Sequence, residues 1–547
     1  MKRQHLKGFG RLLRLNIRRD RVKVSITVLS FVVLVPALVA GVTEIFSSDA
    51  ERKEGMLFLT ANPVMRLFGL PSGDSFGDLM MLRAFMTLAT VAALVSIFLV
   101  IRHTRQNEEL GRSELVASLP VGRWSALAAA LSWSLVVNLL IGAAVTLGLL
   151  TSDVFEVSGA IAMGSAVAAV GVAFAGIAAV FAQLTHSSRA ANSLSSLTLM
   201  VAFLLAGLAS VLGEIDETGF AVEPMWVIWL SPIGWAQLMQ PFAGEVWGYL
   251  ALPVLFTAIC VASALYLQSR RDVGRSLFSA RLSRAHASRH LPSVAGISWR
   301  LNRVTFASWL VGVSFLAAIY GAVAGDVEEL LGAAEGFAEV FVAATGSSEI
   351  LNAYFGATVG LIAIFILVFG AQLIVRMRQN EIGPLEYMLS TTVGRLHFFV
   401  TQIIMLLLAV VILSVVVGVV IAGVAHASLD DPAGGLLHEV YVGALVQLPA
   451  IVLMLSLLLL AYAALPHIAS GLIWLMVFVV VLLGPFFSGL FNFPDWVSNI
   501  SPFSHTPAVP PLDGMSVTPL VIMTGVAVAV FVLSTWMFSR RDTLTTG

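Results

Sequence analysis

Hydrophobic positions along the chain form long apolar runs that are separated by shorter polar segments. The runs lack the period-two alternation of strands and are too long for the strands of a membrane barrel, so they predict α-helices. Each run reaches about the 20 residues that a helix needs to cross the hydrocarbon core of a bilayer. Twelve spans are predicted, near residues 24–46, 80–101, 126–150, 158–182, 193–213, 247–267, 304–325, 353–375, 399–424, 441–463, 470–490 and 518–538.

The composition supports a chain that is embedded in a membrane. Hydrophobic residues make up 58% of the sequence and charged residues 12%, against about 25% charged residues in soluble domains. The fold class is therefore an all-α polytopic membrane protein. The net charge of −1 gives no indication of nucleic-acid binding, and the single cysteine, Cys260, excludes an intramolecular disulfide.

The distribution of cations predicts the orientation of the spans. With the N-terminus in the cytoplasm, the cytoplasmic segments hold 27 of the 31 lysines and arginines, whereas 24 of the 32 acids fall on or near the other side. An excess of Lys and Arg in short cytoplasmic loops sets membrane topology. Both termini are therefore predicted to be cytoplasmic.

One charged segment occurs twice in the sequence, as RQNEELGRSELVASLPVGR at 105–123 and RQNEIGPLEYMLSTTVGR at 378–395. With Glu109 removed from the first copy, ten of the eighteen aligned positions are identical. Ser-Arg-Arg-Asp ends both halves, at 269–272 and 539–542, and Ser-Pro precedes the sixth and twelfth spans. We infer a duplication into two parallel six-span repeats, because an even number of spans preserves the direction of insertion.

The predicted domains follow from this repeat. An amphipathic interfacial helix is predicted over 1–23, where Leu6, Phe9, Leu13 and Ile17 form one stripe among basic residues. The two six-span halves cover 24–267 and 304–538, joined by a basic cytoplasmic linker at 268–303 and followed by a cytoplasmic tail at 539–547.

Each copy of the repeated passage lies in the loop between the second and third spans of its half. We call these loops, residues 102–125 and 376–396, the first and second loops. A short polar helix from Glu109 to Pro120, presented twice, predicts a docking surface for a symmetric pair of partners. The alternative is a solvated loop whose arginines only set the topology. The candidate docking residues are Glu108, Glu109, Gly111, Arg112, Glu114, Arg123, Glu381, Gly383, Glu386 and Arg395.

The first loop, the Ser-Pro segment with its surrounding aromatics and the Arg-Arg-Asp endings resemble the ABC-2-type permeases of bacterial ABC exporters. The similarity is greatest to the twelve-span subunits described as exporters of polyketide antibiotics. The second half departs from the pattern, because Pro384 stands where the first copy has Arg112 and Tyr387 where it has Leu115. Asymmetric partners or an asymmetric pathway therefore remain open.

The resemblance implies a permease in the bacterial cytoplasmic membrane that exports hydrophobic or amphipathic compounds, such as polyketide-type antibiotics or drugs. The two loops would then be coupling helices that seat in two copies of a separate ATP-binding-cassette ATPase. The turn at 183–192, between the fourth and fifth spans, would make a smaller contact. ATP and Mg would bind in the partner, while this chain would bind no cofactor or metal and carry no catalytic residue. Its other expected partners are membrane lipids and the hydrophobic cargo.

A nucleotide-binding site within the chain is excluded by the distribution of lysine. Lysine occurs only at positions 2, 7, 23 and 53, and none lies in the Gly-rich loop that a Walker A motif requires. The principal alternative is an ion-coupled secondary multidrug transporter with the same parallel repeat. Such carriers place ionisable residues deep in the membrane, whereas the predicted span interiors contain almost none. A sensor or regulatory role also remains open.

The resemblance places the cargo pathway on the second, fifth, eighth and eleventh spans. Large, adaptable apolar side chains suit an uncharged pathway, although each could equally be a core or lipid-facing residue. The predicted lining residues are Phe85, Phe98, Met200, Phe203, Phe355, Phe365, Trp474 and Phe478.

Two outer segments, 224–247 and 491–511, are aromatic but interrupted by prolines. We expect each to form a broken cap above the exit, and the pair to act as an outer gate; aromatic anchoring at the membrane surface is the simpler explanation. The predicted cap residues are Trp229, Pro232, Trp235, Pro241 and Pro502.

Overall fold

The structure is a computed structural model. It describes residues 5–45, 48–118, 120–270, 293–327, 350–379, 393–429, 436–484, 495–507 and 516–541. The chain divides into two compact units, Met1–Ser283 and Arg284–Gly547, whose boundary falls within the predicted linker 268–303. Most of that linker lies outside the described residues.

The described residues of the first unit form helices and one small hairpin. Its helices are α1 (Phe9–Ile45), α2 (Asp49–Ala61), α3 (Pro63–Leu67), α4 (Phe76–Met80), α5 (Met86–His103), α6 (Arg105–Glu109), α7 (Arg112–Ala117), α8 (Ser125–Leu149), α9 (Val157–Leu184), α10 (Ser188–Val211), α11 (Pro232–Gln237) and α12 (Ala251–Arg270). A π-helical turn, Met81–Phe85, joins α4 to α5, and 3-10 turns cover Trp226–Leu230 and Trp247–Leu250. Strands β1 (Glu214–Ile215) and β2 (Val222–Glu223) form an antiparallel pair.

The second unit is also helical over its described residues. Its helices are α13 (Val294–Val323), α14 (Ile350–Gln379), α15 (Arg395–Ser428), α16 (Leu436–Val446), α17 (Leu448–Ala464), α18 (Ala469–Leu482), α19 (Asp495–Ser498) and α20 (Thr518–Arg540). Short 3-10 turns cover Ala324–Asp326 and Pro502–His505.

Eleven helices in the described part of the chain are long and apolar enough to cross a membrane. They coincide with eleven of the twelve predicted spans, because hydrocarbon admits only segments that satisfy their own backbone hydrogen bonds. The remaining prediction, 470–490, corresponds to α18, which has 14 residues. Residues 485–490 of this predicted span lie outside the described part of the chain.

Helix α1 differs from the prediction at its N-terminal end. It runs from Phe9 to Ile45 without a break, so the basic amphipathic segment and the first span form one helix instead of two elements. No helix-breaking residue separates them, because the only proline in this helix is Pro36, well inside the predicted span.

The core of the first unit is built around α9, which packs against α5, α8 and α12. Gly and Ala occupy much of this helix and bring neighbouring backbones close together, as is typical of helix contacts in membranes. A Cβ on Gly164 would lie 2.4 Å from the carbonyl oxygen of Gly142 on α8. The space left by Gly171 holds the side chain of Asn138, whose Oδ1 would lie 1.7 Å from a Cβ at that position.

Polar side chains inside the spans connect helices within each unit. Nδ2 of Asn138 on α8 donates to Oγ of Ser96 on α5, at 2.8 Å. In the second unit, Nε1 of Trp309 on α13 donates to Oε1 of Gln372 on α14, at 2.7 Å. These amides therefore form interhelical hydrogen bonds within the spans.

Candidate functional site

The first loop contains two short helices that meet at a glycine. Helix α5 ends at His103, where Thr104 departs from helical geometry with φ −111° and ψ −91°. Helix α6 follows, and Gly111 then adopts a φ of +69° before α7 begins. A residue with a side chain would be strained at this φ. Gly111 thus sets the direction in which α7 leaves α6.

Helix α6 is fixed to the turn between the fourth and fifth spans. Nη2 of Arg105 donates to the carbonyl oxygen of His186, at 2.7 Å, while Nη1 pairs with Glu108 at 2.8 Å. The Glu109 carboxylate accepts hydrogen bonds from the N–H and the hydroxyl of Ser188, at 3.0 and 2.5 Å. The structure therefore brings together the first loop and the turn at 183–192, the two regions expected to contact a partner.

The base of the first loop is held by α1 through a buried carboxylate. Nη1 of Arg102 lies 2.5 Å from Oδ1 of Asp20, and Nε2 of His103 contacts the other carboxylate oxygen. The side chains of Asp20 and His103 are 3% and 0% exposed. A second link joins Nη1 of Arg19 to Oδ1 of Asn107, at 3.2 Å. Because buried charges require partners, these contacts hold α1 and the first loop together.

The end of the first loop, Val-Gly-Arg, is held by the N-terminal residues and by the end of α12. The N–H of Gly122 donates to the carbonyl oxygen of Lys7 at 2.8 Å, and the ring of Trp124 stacks on His5. Nε2 of Gln268 donates to the carbonyl oxygen of Arg123, at 2.9 Å. The repeated Val-Gly-Arg sequence therefore lies where three parts of the unit meet.

Helix α7 is the part of the first loop that remains open to a partner. Arg112 and Glu114 are exposed, and Leu115 is 74% exposed. An exposed leucine between charged side chains on an otherwise anchored loop is typical of a docking surface. Glu108 and Glu109, by contrast, form the contacts with Arg105 and Ser188 described above.

Three of the candidate residues in the second loop, Glu381, Gly383 and Glu386, lie outside the described residues. The described ends of this loop contact the same parts of their unit as those of the first, although at the Val-Gly-Arg end the arginine donates through its side chain in the second loop and accepts through its backbone carbonyl in the first. Nε of Arg378, which corresponds to Arg105, donates to the carbonyl oxygen of Pro466 in the turn before α18, at 2.7 Å. Nη1 of Arg395 donates to the carbonyl oxygen of Arg541 at the end of the chain's last helix, again at 2.7 Å.

The predicted pathway residues occupy different environments within their units. Phe85 and Phe355 are fully buried, and Phe203 is partly buried with its ring 6.3 Å from that of Phe68. The others expose between 37% and 62% of their surface; these are Phe98, Met200, Phe365, Trp474 and Phe478. Phe85 and Phe355 thus contribute to the packing of their own units in this conformation.

The outer segment 224–247 folds as a series of short turns and helices around its aromatic residues. Nε1 of Trp235 donates to the carbonyl oxygen of Trp229 at 2.7 Å, which closes the segment on itself. Pro232 and Pro241 are buried. The ring of Phe242 fills the space above two glycines, because a Cβ would lie 2.1 Å from it on Gly77 and 2.2 Å on Gly159.

Both Ser-Pro sequences bind the preceding apolar helix in the same way. The Ser231 hydroxyl donates to the carbonyl oxygen of Ala202 in α10, at 2.6 Å. The Ser501 hydroxyl donates to that of Val480 in α18, at 3.2 Å. Both serines are fully buried, and Pro502 is buried beside the second. The part of the second outer segment before residue 495 lies outside the described residues.

The hairpin between α10 and the first outer segment was not predicted. Its turn is held by Asp216, whose carboxylate accepts from the Thr218 hydroxyl at 2.6 Å and from the N–H of Ala221 at 3.1 Å. These hydrogen bonds lower the pKa of Asp216. Arg66 also contacts the end of α10 and the hairpin: its Nη1 donates to the carbonyl oxygens of Ser210 and Gly213, both at 3.3 Å.

Sequence reasoning missed the contribution of α1 to the first loop. Asp20, Arg19 and His103 were not among the candidate residues, although Asp20 is the only acid in the first 43 residues. A single acid in a basic segment favours an ion pair with a particular cation, so Asp20 could have been singled out from the sequence. The sequence Arg-Leu-Asn also recurs, at 14–16 and 300–302, on the first helix of each unit.

The long apolar helices and the first loop define the class of the protein. It is a multi-pass membrane protein whose first loop is held in place by hydrogen bonds and ion pairs to neighbouring segments. Comparison with known proteins narrows this class. The chain is 33% identical over 539 residues to the multidrug efflux system permease protein Rv1217c of Mycobacterium tuberculosis, covering 97% of this chain and 94% of the relative. The family described as multidrug efflux system permease Rv1217c, C-terminal domain, matches residues 291–539.

The chain therefore belongs to the family of multidrug efflux system permeases. This confirms the resemblance to efflux permeases that the repeated loop and the outer segment indicated. It is a transmembrane permease of an efflux system.

Proposed function

We propose that this chain is the permease of an ATP-driven ABC exporter, coupled to a separate ATPase through the first and second loops. The observation that carries the proposal is the construction of the first loop. Helix α6 is fixed by Arg105 and Glu109, whereas α7 exposes Arg112, Glu114 and Leu115. A rigidly held helix with an exposed face can transmit the movement of a partner to the spans behind it.

The two loops are proposed to act as a pair because their described ends make equivalent contacts. Arg105 and Arg378 each donate to a backbone carbonyl in the turn before the fifth span of their unit. The Val-Gly-Arg ends each contact the last helix of their unit, and the two Ser-Pro sequences each bind the preceding apolar helix. Equivalent contacts at equivalent positions favour a duplicated architecture that engages two ATPase copies.

The proposed cargo is a hydrophobic or amphipathic small molecule. The printed name of the relative, a multidrug efflux permease, supports such cargo, as does the exposure of Phe98, Met200 and Phe478 on their helices. The outer segments with Trp229, Trp235 and Pro502 are proposed to form the gate at the exit. Their buried Ser-Pro anchors make each segment move together with its apolar helix.

Transport in inside-out vesicles tests the energy source directly. Vesicles that contain this chain and its ATPase are expected to accumulate a fluorescent hydrophobic dye when ATP and Mg are added, and to show none of this uptake with a non-hydrolysable nucleotide. An imposed proton or sodium gradient without ATP should give no accumulation above that of empty vesicles. Uptake driven by the ion gradient alone would contradict the proposal and favour the secondary transporter.

A further inference from the structure

A cavity of about 270 Å³ lies between the N-terminal part of α1 and the first loop. Its walls include residues of α1, the junction of α5 and α6, the beginning of α8 and the end of α12. This volume is close to the lower end of the range for small-molecule sites, about 300–1,000 Å³. The coupling proposed above uses one residue of its wall, Arg112, but not the cavity itself.

The polar part of the wall carries an excess of positive charge. Arg19, Arg112 and Arg123 line the cavity together with one acid, Glu108. The Glu108 carboxylate is already paired with Arg105 at 2.8 Å. Arg102 and Arg112 lie close enough to Arg19 to repel its guanidinium, and the carboxylate of Asp20 attracts it. Cations of the same sign that converge on a cleft with a low-dielectric wall attract an anion into it.

A buried imidazole supplies a second, independent indication of a ligand. His103 lines the cavity and its side chain is 0% exposed. Nε2 contacts Asp20, whereas Nδ1 is buried without a hydrogen-bond partner among the described residues. Buried polar atoms are nearly always paired with protein, water or ligand.

Leucines of α1 and α8 form the apolar part of the wall, and α1 is a helix that suits the membrane surface. Leu12, Leu15 and Leu127 line this part of the cavity, and Leu15 is 46% exposed. Around them α1 exposes Arg14 and Arg18. Arginines interleaved with exposed apolar residues are typical of a helix at the depth of lipid headgroups.

We propose that this cavity binds the phosphate headgroup of an anionic phospholipid from the cytoplasmic leaflet. Arg19 and Arg112 would bind the phosphate, and Leu12 and Leu15 would contact the glycerol and the first methylenes. Such a lipid would join α1 to the base of α7. The proposal requires only that the first loop lies at the cytoplasmic surface, so it does not depend on ATPase coupling.

The second unit provides an internal comparison. Its cavity of about 170 Å³ uses Ser298 and Asn302 of α13, Met377 of α14 and Gln402 of α15. Among the described residues that line it, none is charged. This cavity therefore lacks the arginines that favour an anionic lipid in the cavity of the first unit.

Native mass spectrometry of the delipidated full chain in mild detergent tests this site. The probes are dioctanoyl phosphatidylglycerol, dioctanoyl phosphatidylcholine and inorganic phosphate. One phosphatidylglycerol should bind per chain, at least about tenfold more tightly than phosphatidylcholine. Arg19→Glu should weaken that binding by about tenfold or more, because it reverses a charge that contacts the phosphate. The matched control is Arg18→Glu, on the exposed face of the same helix, which should change binding by less than about twofold.

Three outcomes would overturn the proposal. Equal losses in Arg19→Glu and Arg18→Glu would indicate diffuse attraction of headgroups to α1. Inorganic phosphate that displaces phosphatidylglycerol at comparable concentrations would indicate a site for a soluble anion. Unchanged binding in Ala126→Phe, which fills the cavity from its exposed wall without altering charge, would place the lipid elsewhere. This last variant also serves if Arg19→Glu does not fold.

Discussion

Replacing Asp20 with alanine is expected to lower the free energy of unfolding of the first unit by about 3 kcal/mol. The reason is that Asp20 is 3% exposed and contacts both Arg102 and His103. Removing the carboxylate leaves a fully buried imidazole, and a guanidinium whose side chain is 27% exposed, without this partner, and such uncompensated groups are costly. Equilibrium unfolding of the purified chain in mixed micelles measures the loss.

The matched control is Asp49→Ala. Asp49 also pairs with an arginine, Arg52, at 2.6 Å, but its side chain is 86% exposed. A surface pair of this kind contributes less than about 1 kcal/mol. Equal destabilisation by the two substitutions would contradict the account of the buried link. Asp20→Asn, which retains a hydrogen-bond acceptor, should fall between wild type and Asp20→Ala, and it remains measurable if the alanine variant does not fold.

Reversing one charge in each loop, with Glu114→Arg and Glu386→Arg together, is expected to reduce ATP-dependent efflux at least about tenfold. Glu114 is exposed on α7 beside Leu115, which is 74% exposed, so the substitution alters the docking face without disturbing the core. Like charges brought together across an interface cost several kcal/mol. Efflux and substrate-stimulated ATP hydrolysis, measured on the same preparation, report the uncoupling.

The control for this pair is Glu54→Arg with Glu217→Arg. Both acids are exposed and lie in segments predicted to face the other side of the membrane, so the charge changes equally. The thermal midpoint of both double variants should match that of the wild type. Normal efflux with normal stimulated hydrolysis in Glu114→Arg/Glu386→Arg would argue against docking at these loops.

Hydropathy predicted the spans well, because the bilayer imposes one requirement on every spanning residue: its backbone must be satisfied within the helix. The same local reasoning placed a boundary near residue 23 that the structure lacks. A rise in hydrophobicity marks where a helix enters the hydrocarbon, and it does not mark where the helix begins. Helix α1 continues through that point because nothing interrupts its hydrogen bonding.

The first loop was recognised from its repeated sequence, and the structure places Glu114 and Leu115 on an exposed helix, Arg112–Ala117, which is shorter than the predicted Glu109–Pro120. Docking of a partner at this helix stays a prediction. Its anchoring could not be predicted, because the contacts join distant parts of the chain. Asp20 and His103 are separated by 83 positions, and Arg105 and His186 by 81. Periodicity carries no information about pairs at such separations. The roles assigned to Glu381, Gly383 and Glu386, and to the pathway residues, stay predictions.

The mass of the intact complex, extracted from native membranes in mild detergent, tests the central claim most directly. The account predicts a mass equal to one copy of this chain plus two copies of an ATP-binding-cassette ATPase, with Glu114→Arg/Glu386→Arg losing the ATPase. The contradictory result is a chain that purifies without an ATPase and still transports its substrate when an imposed ion gradient is the only source of energy.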